Sequence, residues 1–205
     1  MIRRLIRRFF GKWIDQGAIR VHLWHQRRNQ VAQFEDIRIS DLADGGPDFK
    51  RVMLGALQLL KDTDPRRFSR VNRHLKWIAN EPLDEPGGQY RYSTRTCSFD
   101  FVKPESESDI PAWIAWHASA LVHEATHGAL AARGIRYSPE LRARIEHLCV
   151  TEQNRFASRF SSIQPELAEG LHQEFDETAW HDSWKRTPTE TFIATLRRLF
   201  TGRHK

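Results

Sequence analysis

Residues 121–130 read LVHEATHGAL and set three titratable groups into an otherwise apolar, helix-forming run. In a helix, His123 and His127 differ by about 40° and one turn of rise, so both imidazoles can aim at one point. Glu124 lies about 100° further round. Ala118, Leu121, Val122, Ala125 and Ala129 surround the three. Burying unpaired polar groups among such neighbours costs about 2–7 kcal/mol each. Solvated surface histidines are the alternative, and the apolar flanks weigh against it. Any fold of this chain must therefore bring partners to the middle of that helix. Two imidazoles at i and i+4 suit one zinc ion. A carboxylate beside that ion can take a proton from a water that the ion activates. Gly128, next in the chain, allows close packing there.

A zinc site needs a third protein ligand. No CxxC pair exists, and the downstream helix offers Glu146 and Glu152. Leu141, Ile145, Leu148, Phe156, Phe160 and Ile163 form an apolar stripe on that helix, with Glu152 at its centre. Glu146 lies roughly 100° off that centre. The expectation is that Glu152 completes the site and that Glu146 is a solvated charge. The alternative for Glu152 is an ion pair with Arg155 or Arg159.

These residues make the chain resemble a zincin, the H-E-x-x-H zinc metallopeptidase superfamily. Within it, the chain resembles the gluzincin branch, whose third ligand is a glutamate on the next helix. The resemblance covers about residues 90–160. It implies His123, His127 and Glu152 as ligands of one zinc ion and Glu124 as general base in peptide-bond hydrolysis. It also implies a peptide or protein substrate paired, in extended form, with a strand near 90–102. The thermolysin-like pattern is not matched, because Thr151 precedes Glu152 and Phe156 sits four after it. The E-x-x-A-N pattern is absent too, since position 150 is Val, and no third histidine follows in the metzincin spacing. Tyr137, His172 and His181 are candidates for stabilising the transition state, with an ordinary structural role as the alternative for each. A non-catalytic module, held together by its metal, is the second reading of the whole chain.

Around the site the pattern is mostly helical. GGPDFKRVMLGALQLLKD reads as a helix opened by a Gly-Pro turn. DPRRFSRVNRHLKWIANEP reads as another, capped by Asp64, with Pro65 in its first turn and Phe68, Val71, Leu75 and Ile78 on its apolar face. QYRYSTRTCSFDFV alternates and is rich in aromatic and β-branched residues, so it reads as a strand. Residues 18–40 are consistent with strands or with a continuing helix. Further helices are expected at 110–133, ended by Gly134, from 137 to about 160, near 166–184, and near 188–200 with Thr187 as cap. The fold class expected is α+β, mostly helical, with a small sheet. Residues 1–85 would form an N-terminal helical lobe and 86–205 the metal-binding lobe of one compact domain.

Only Cys97 and Cys149 are present, which suits a reducing compartment, so a cytoplasmic location is expected. The basic start lacks an apolar core and cleavage site, so no secretory signal is expected. The net charge of +6 is concentrated at one end. Residues 1–28 hold eight Lys and Arg against Asp15 alone, so the rest of the chain is close to neutral. A nucleic-acid-binding domain would spread its basic charge over a folded face, so no nucleic-acid partner is expected. Ile2, Leu5, Ile6, Phe9, Phe10 and Trp13 share one helical face opposite arginines. That segment either lies peripherally on an anionic membrane or docks its apolar face on the domain.

The membrane alternative predicts that residues 1–14 contribute on the order of 4 kcal/mol at an anionic surface before screening. Full-length protein should then sediment with anionic vesicles at low salt, and a chain lacking residues 1–14 should not. Equal sedimentation, with a fall of many degrees in melting temperature on truncation, identifies the docked alternative.

Overall fold

The computed structural model describes residues 16–83, 88–135 and 137–176. Residues 16–28 form a helix, α1, so the ambiguous stretch continues helically through Val21. Two strands follow, β1 (Gln30–Phe34) and β2 (Ile37–Asp41), then helices α2 (Gly46–Thr63) and α3 (Pro65–His74). Strands β3 (Trp77–Asn80), β4 (Gly88–Arg91) and β5 (Thr96–Phe99) complete a five-stranded mixed sheet in the order β1-β2-β3-β5-β4. The central strands β2, β3 and β5 run parallel, and antiparallel β1 and β4 form the edges. Helices α4 (Ile110–Ala132), α5 (Arg142–Ser161) and the short α6 (Pro165–Ala168) follow. The protein is thus α+β and mostly helical, with a small sheet. That one sheet joins β3 to β5, so it crosses the boundary expected near residue 85.

Asp64 caps α3 as expected, accepting a hydrogen bond from Arg67 N at 3.1 Å. The helix stops at His74 rather than running on to Asn80. Leu75 is extended, with φ −100° and ψ 139°, and Trp77–Asn80 is a strand buried at every position. A central parallel strand is covered on both faces and loses its alternation. The spacing of Val71, Leu75 and Ile78 therefore imitated a helical stripe. The single strand expected over 89–102 is instead the β4–β5 hairpin, pairing Tyr90 with Cys97 and Arg91 with Thr96. Its turn holds Arg95 at φ 55°. The helix expected near 166–184 ends early: a 3-10 turn closes at Leu171, and His172 has φ −70° and ψ 128°. The helix expected near 188–200, Thr187 and residues 1–14 lie outside the described residues.

The scaffold is organised around α4, which packs against α2, α3, α5, β4 and β5. Almost every position from Ala115 to Gly128 is buried. A helix apolar all round belongs inside a protein, and small residues let its neighbours approach. A Cβ added at Gly128 would lie 2.7 Å from Tyr90 Oη and 2.9 Å from His74 Cβ. Gly134 ends the helix region with φ 82°, the left-handed conformation expected of it. Among the described residues no helix is long and apolar enough to cross a membrane.

One buried titratable group stands apart from the motif. His117 lies among Trp113, Trp116 and Phe99, with ring centroids 5.6, 4.7 and 5.1 Å away. Its Nδ1 is 2.8 Å from the Trp113 carbonyl, the geometry of an N–H donated to it. Burial lowers its pKa to about 4. The folded state therefore excludes the proton that the unfolded chain binds below the ordinary value of 6.5. Stability should fall as pH drops from 6.5 towards 4, by on the order of 3 kcal/mol from this group. Urea unfolding at steps across that interval should show a shallower decline in His117→Phe.

Candidate metal centre

Three segments converge on the buried motif. Helix α4 supplies His123, Glu124 and His127, all buried. Helix α5 supplies Glu146, Cys149 and Gln153, and the α4–α5 loop supplies Tyr137. One carboxylate oxygen, Glu146 Oε2, lies 3.2 Å from His123 Nε2 and 3.6 Å from His127 Nε2. Its other oxygen accepts a hydrogen bond from Tyr137 Oη at 2.7 Å. His123 turns its second nitrogen, Nδ1, to Gln153 Oε1 at 3.1 Å. The Tyr137 ring stands edge-on to His127 at 5.8 Å. His127 Nδ1 is buried without a hydrogen-bond partner among the described residues.

His123, His127 and Cys149 form a group that could hold a metal ion, with one ligand atom from each within 4.8 Å of the others. The Glu146 carboxylate lies beside the same two imidazoles. Donors 2.0–2.1 Å from a tetrahedral ion stand about 3.3 Å apart, close to the separations of Glu146 Oε2 from the two imidazoles. Gln153 holds the first imidazole by its far nitrogen and Tyr137 holds the carboxylate.

The charge states suit a cation. Burial pushes Glu146 up, but hydrogen bonds from His123 and Tyr137 and the adjacent imidazoles outweigh it and leave the carboxyl below its usual range. Burial lowers His127 to about 4, so this imidazole stays neutral with a lone pair to offer. Burial lowers His123 as well, but its bond to Glu146 and the charges of Glu124 and Glu146 raise it overall. Glu124 is pushed up to about 7, chiefly by burial. A cation beside Glu124 would draw that value back down. Burial, followed by the charges of Glu146 and Glu124, raises the Cys149 thiol and disfavours its thiolate.

The expected third ligand, Glu152, is elsewhere. Its carboxylate pairs with Arg70 at 2.7 Å, Arg67 at 3.4 Å and Arg155. Arg155 was foreseen as a partner; the two arginines from α3 were not. Glu146, expected to be solvated, is buried in the cluster. The stripe on α5 was misplaced because Leu141, Leu148 and Ile163 are exposed by 39%, 38% and 53%. The buried face instead runs through Ile145, Cys149, Gln153, Phe156 and Phe160. By the helical step of about 100° per residue, Glu146 falls about 20° from Gln153, whereas Glu152 falls about 100° away. Cys149, Val150 and Ala157, weighted as core residues, would have revealed this.

Of the three candidates for transition-state stabilisation, Tyr137 joins the site, His172 is exposed, and His181 lies outside the described residues. The sequence reading missed Tyr92, at the start of the β4–β5 turn. Tyr92 lines a cavity together with Tyr137 and is 42% exposed; partial burial and the charges of Cys149, Glu146 and Glu124 raise its phenol. It also missed Gly88 on edge strand β4. A Cβ there would stand 2.9 Å from Glu124 Oε1, so glycine leaves room for that carboxylate against the strand backbone. No family model matches the chain, and neither the curated proteins nor the solved structures contain a match.

Glu146→Gln should weaken metal binding by about 100-fold or more in chelator competition, since it removes an anionic donor. Glu152→Gln should leave metal stoichiometry and affinity unchanged and lower the melting temperature. The reverse pattern would return Glu152 to the site.

Proposed function

We propose that the protein is a zinc-dependent metallopeptidase that hydrolyses peptide bonds, with Glu124 as general base. The observation that carries this reading is the Glu146 carboxylate between His123 and His127, with Glu124 buried beside them. Two imidazoles and one carboxylate are the donor set of hydrolytic zinc sites that keep a position open. Bound zinc supplies Lewis acidity, lowering the pKa of water to about 7 and polarising a carbonyl.

The protein's own groups carry the rest. Glu124, buried beside the two imidazoles, takes the proton of the attacking water and later delivers it to the leaving amine. Tyr137, committed to Glu146, holds that carboxylate in place. Tyr92, which lines the cavity beside Tyr137, is the candidate donor for the oxyanion. The outer edge of β4 is unpaired among the described residues, and its backbone passes Glu124 at Gly88. An extended peptide added to that edge would bring a scissile carbonyl to the cluster. The pairing strand would then be Gly88–Arg91, which overlaps the stretch expected over 90–102 only at residues 90 and 91.

A second reading is favoured by Cys149, whose sulfur lies with the two imidazoles. As a fourth donor it would close the site and make the metal structural, in a binding module. The apolar, basic residues 1–14 would serve either reading at an anionic membrane surface.

Metal analysis and a peptide-library screen decide between them. Purified protein should carry one zinc per chain and cleave peptides. Glu124→Gln should keep the zinc and lose about 100- to 10,000-fold in kcat. Cys149→Ala should keep both zinc and activity. Loss of zinc from Cys149→Ala, with no cleavage by the parent protein, would establish the structural reading.

A further inference from the structure

A cavity of about 780 Å³ adjoins the metal cluster and continues along the outer half of α4. One end is bounded by Tyr137 and Gly128, the residues that touch and follow the His127 side of the cluster. Tyr90 and Tyr92 form a wall, and Arg73 and Arg95 line the cavity together with His74. The size falls within the range of specific ligand pockets.

The charge in this cavity is one-sided. Arg73, which is exposed, and the half-buried Arg95 line the cavity, and no carboxylate is among its lining residues. The His74 imidazole registers the imbalance: burial lowers it, and Arg95, Arg73, Arg70 and Arg133 lower it further.

Arg95 is also held in an unusual way. Its φ of 55° is the left-handed region that non-glycine residues adopt at some cost. Its carbonyl accepts from Lys76 N at 2.8 Å, and its Nε donates to the His74 carbonyl at 3.2 Å. The same carbonyl accepts from Tyr90 Oη at 3.2 Å. Capping the end of α3 in this way uses Nε of Arg95. Its remaining guanidinium N–H groups, which also come within reach of the Tyr90 hydroxyl, are donors that suit a carboxylate. A guanidinium fixed by its own backbone and by a second hydrogen bond loses little entropy on binding.

We propose that this cavity selects the substrate, taking a peptide whose carboxylate, from an Asp or Glu side chain or from the chain terminus, sits beside the scissile bond and pairs with Arg95 and Arg73. The assignment rests on the peptidase reading, and binding can be measured apart from cleavage.

The test uses zinc-loaded full-length Glu124→Gln and short alanine-based peptides. One series moves a single Glu through every position, a second carries Gln there, and each is made as free acid and as amide. Isothermal titration should find one Glu position at which affinity exceeds its Gln counterpart by about tenfold or more. A preference confined to the free acids would name the terminal carboxylate as the source instead. Either preference should shrink with added salt and vanish in Arg73→Gln/Arg95→Gln. It should survive in part in Arg73→Lys, with zinc content and melting temperature recorded for each variant. Equal binding of acidic and neutral peptides, no binding of either, or a preference that persists without the two arginines would overturn the proposal. Cleavage of the same peptides by the parent protein separates the two readings. Equal cleavage of Glu and Gln peptides sinks the selectivity alone. Selective binding without any cleavage sinks the peptidase reading and leaves the pocket standing.

Discussion

The site depends on one buried contact, the Glu146 carboxylate held between the imidazoles of His123 and His127. An anion at that depth must be compensated, and removing one partner of such a set typically costs about 3–5 kcal/mol. Here both oxygens are engaged, one by the two histidines and one by the Tyr137 hydroxyl. The contact joins α4 and α5, the two longest helices among the described residues.

A second carboxylate does related work on the neighbouring face. Glu152 gathers Arg67 and Arg70 from α3 and Arg155 from its own helix, and Arg70 also reaches Thr126 Oγ1 on α4 at 3.5 Å. Three helices are thus tied together beside the histidine cluster by groups that take no part in it. The division of labour follows from surroundings. Glu146 faces two imidazoles and a phenol, a set that can share a divalent cation, whereas Glu152 faces guanidiniums, which can only neutralise it.

The sheet contributes through its edge. Across the central strands Ile39, Ile78 and Cys97 stand in register, and the row ends on Tyr90 of β4. Tyr90 rests on α4 where Gly128 leaves room, and Gly88, two residues earlier, leaves room for Glu124. Two absent side chains therefore let the edge strand approach α4 closely. The hairpin that follows carries Tyr92 towards the cluster and Arg95 towards the cavity beside it.

The sequence by itself determined what is local. The spacing of His123 and His127 in an apolar run required a shared partner, because a helix puts i and i+4 on one side whatever surrounds it. Asp64 and Pro65 marked the start of α3, and Gly134 the end of α4, through backbone conformations that need no tertiary context. What came from other segments was decided only by the tertiary structure. Leu75 to Asn80 left the helical pattern because β2 and β5 enclose that stretch on both sides and satisfy its backbone in a sheet. Glu146 rather than Glu152 reached the histidines because the face that α5 turns inward is set by how it crosses α4. Leu141 and Leu148 could be left exposed without great cost, so their hydrophobicity alone did not fix that rotation. Tyr92, Gly88 and Arg95 carry no sequence signal of their own, since their significance lies in what a distant helix places opposite them.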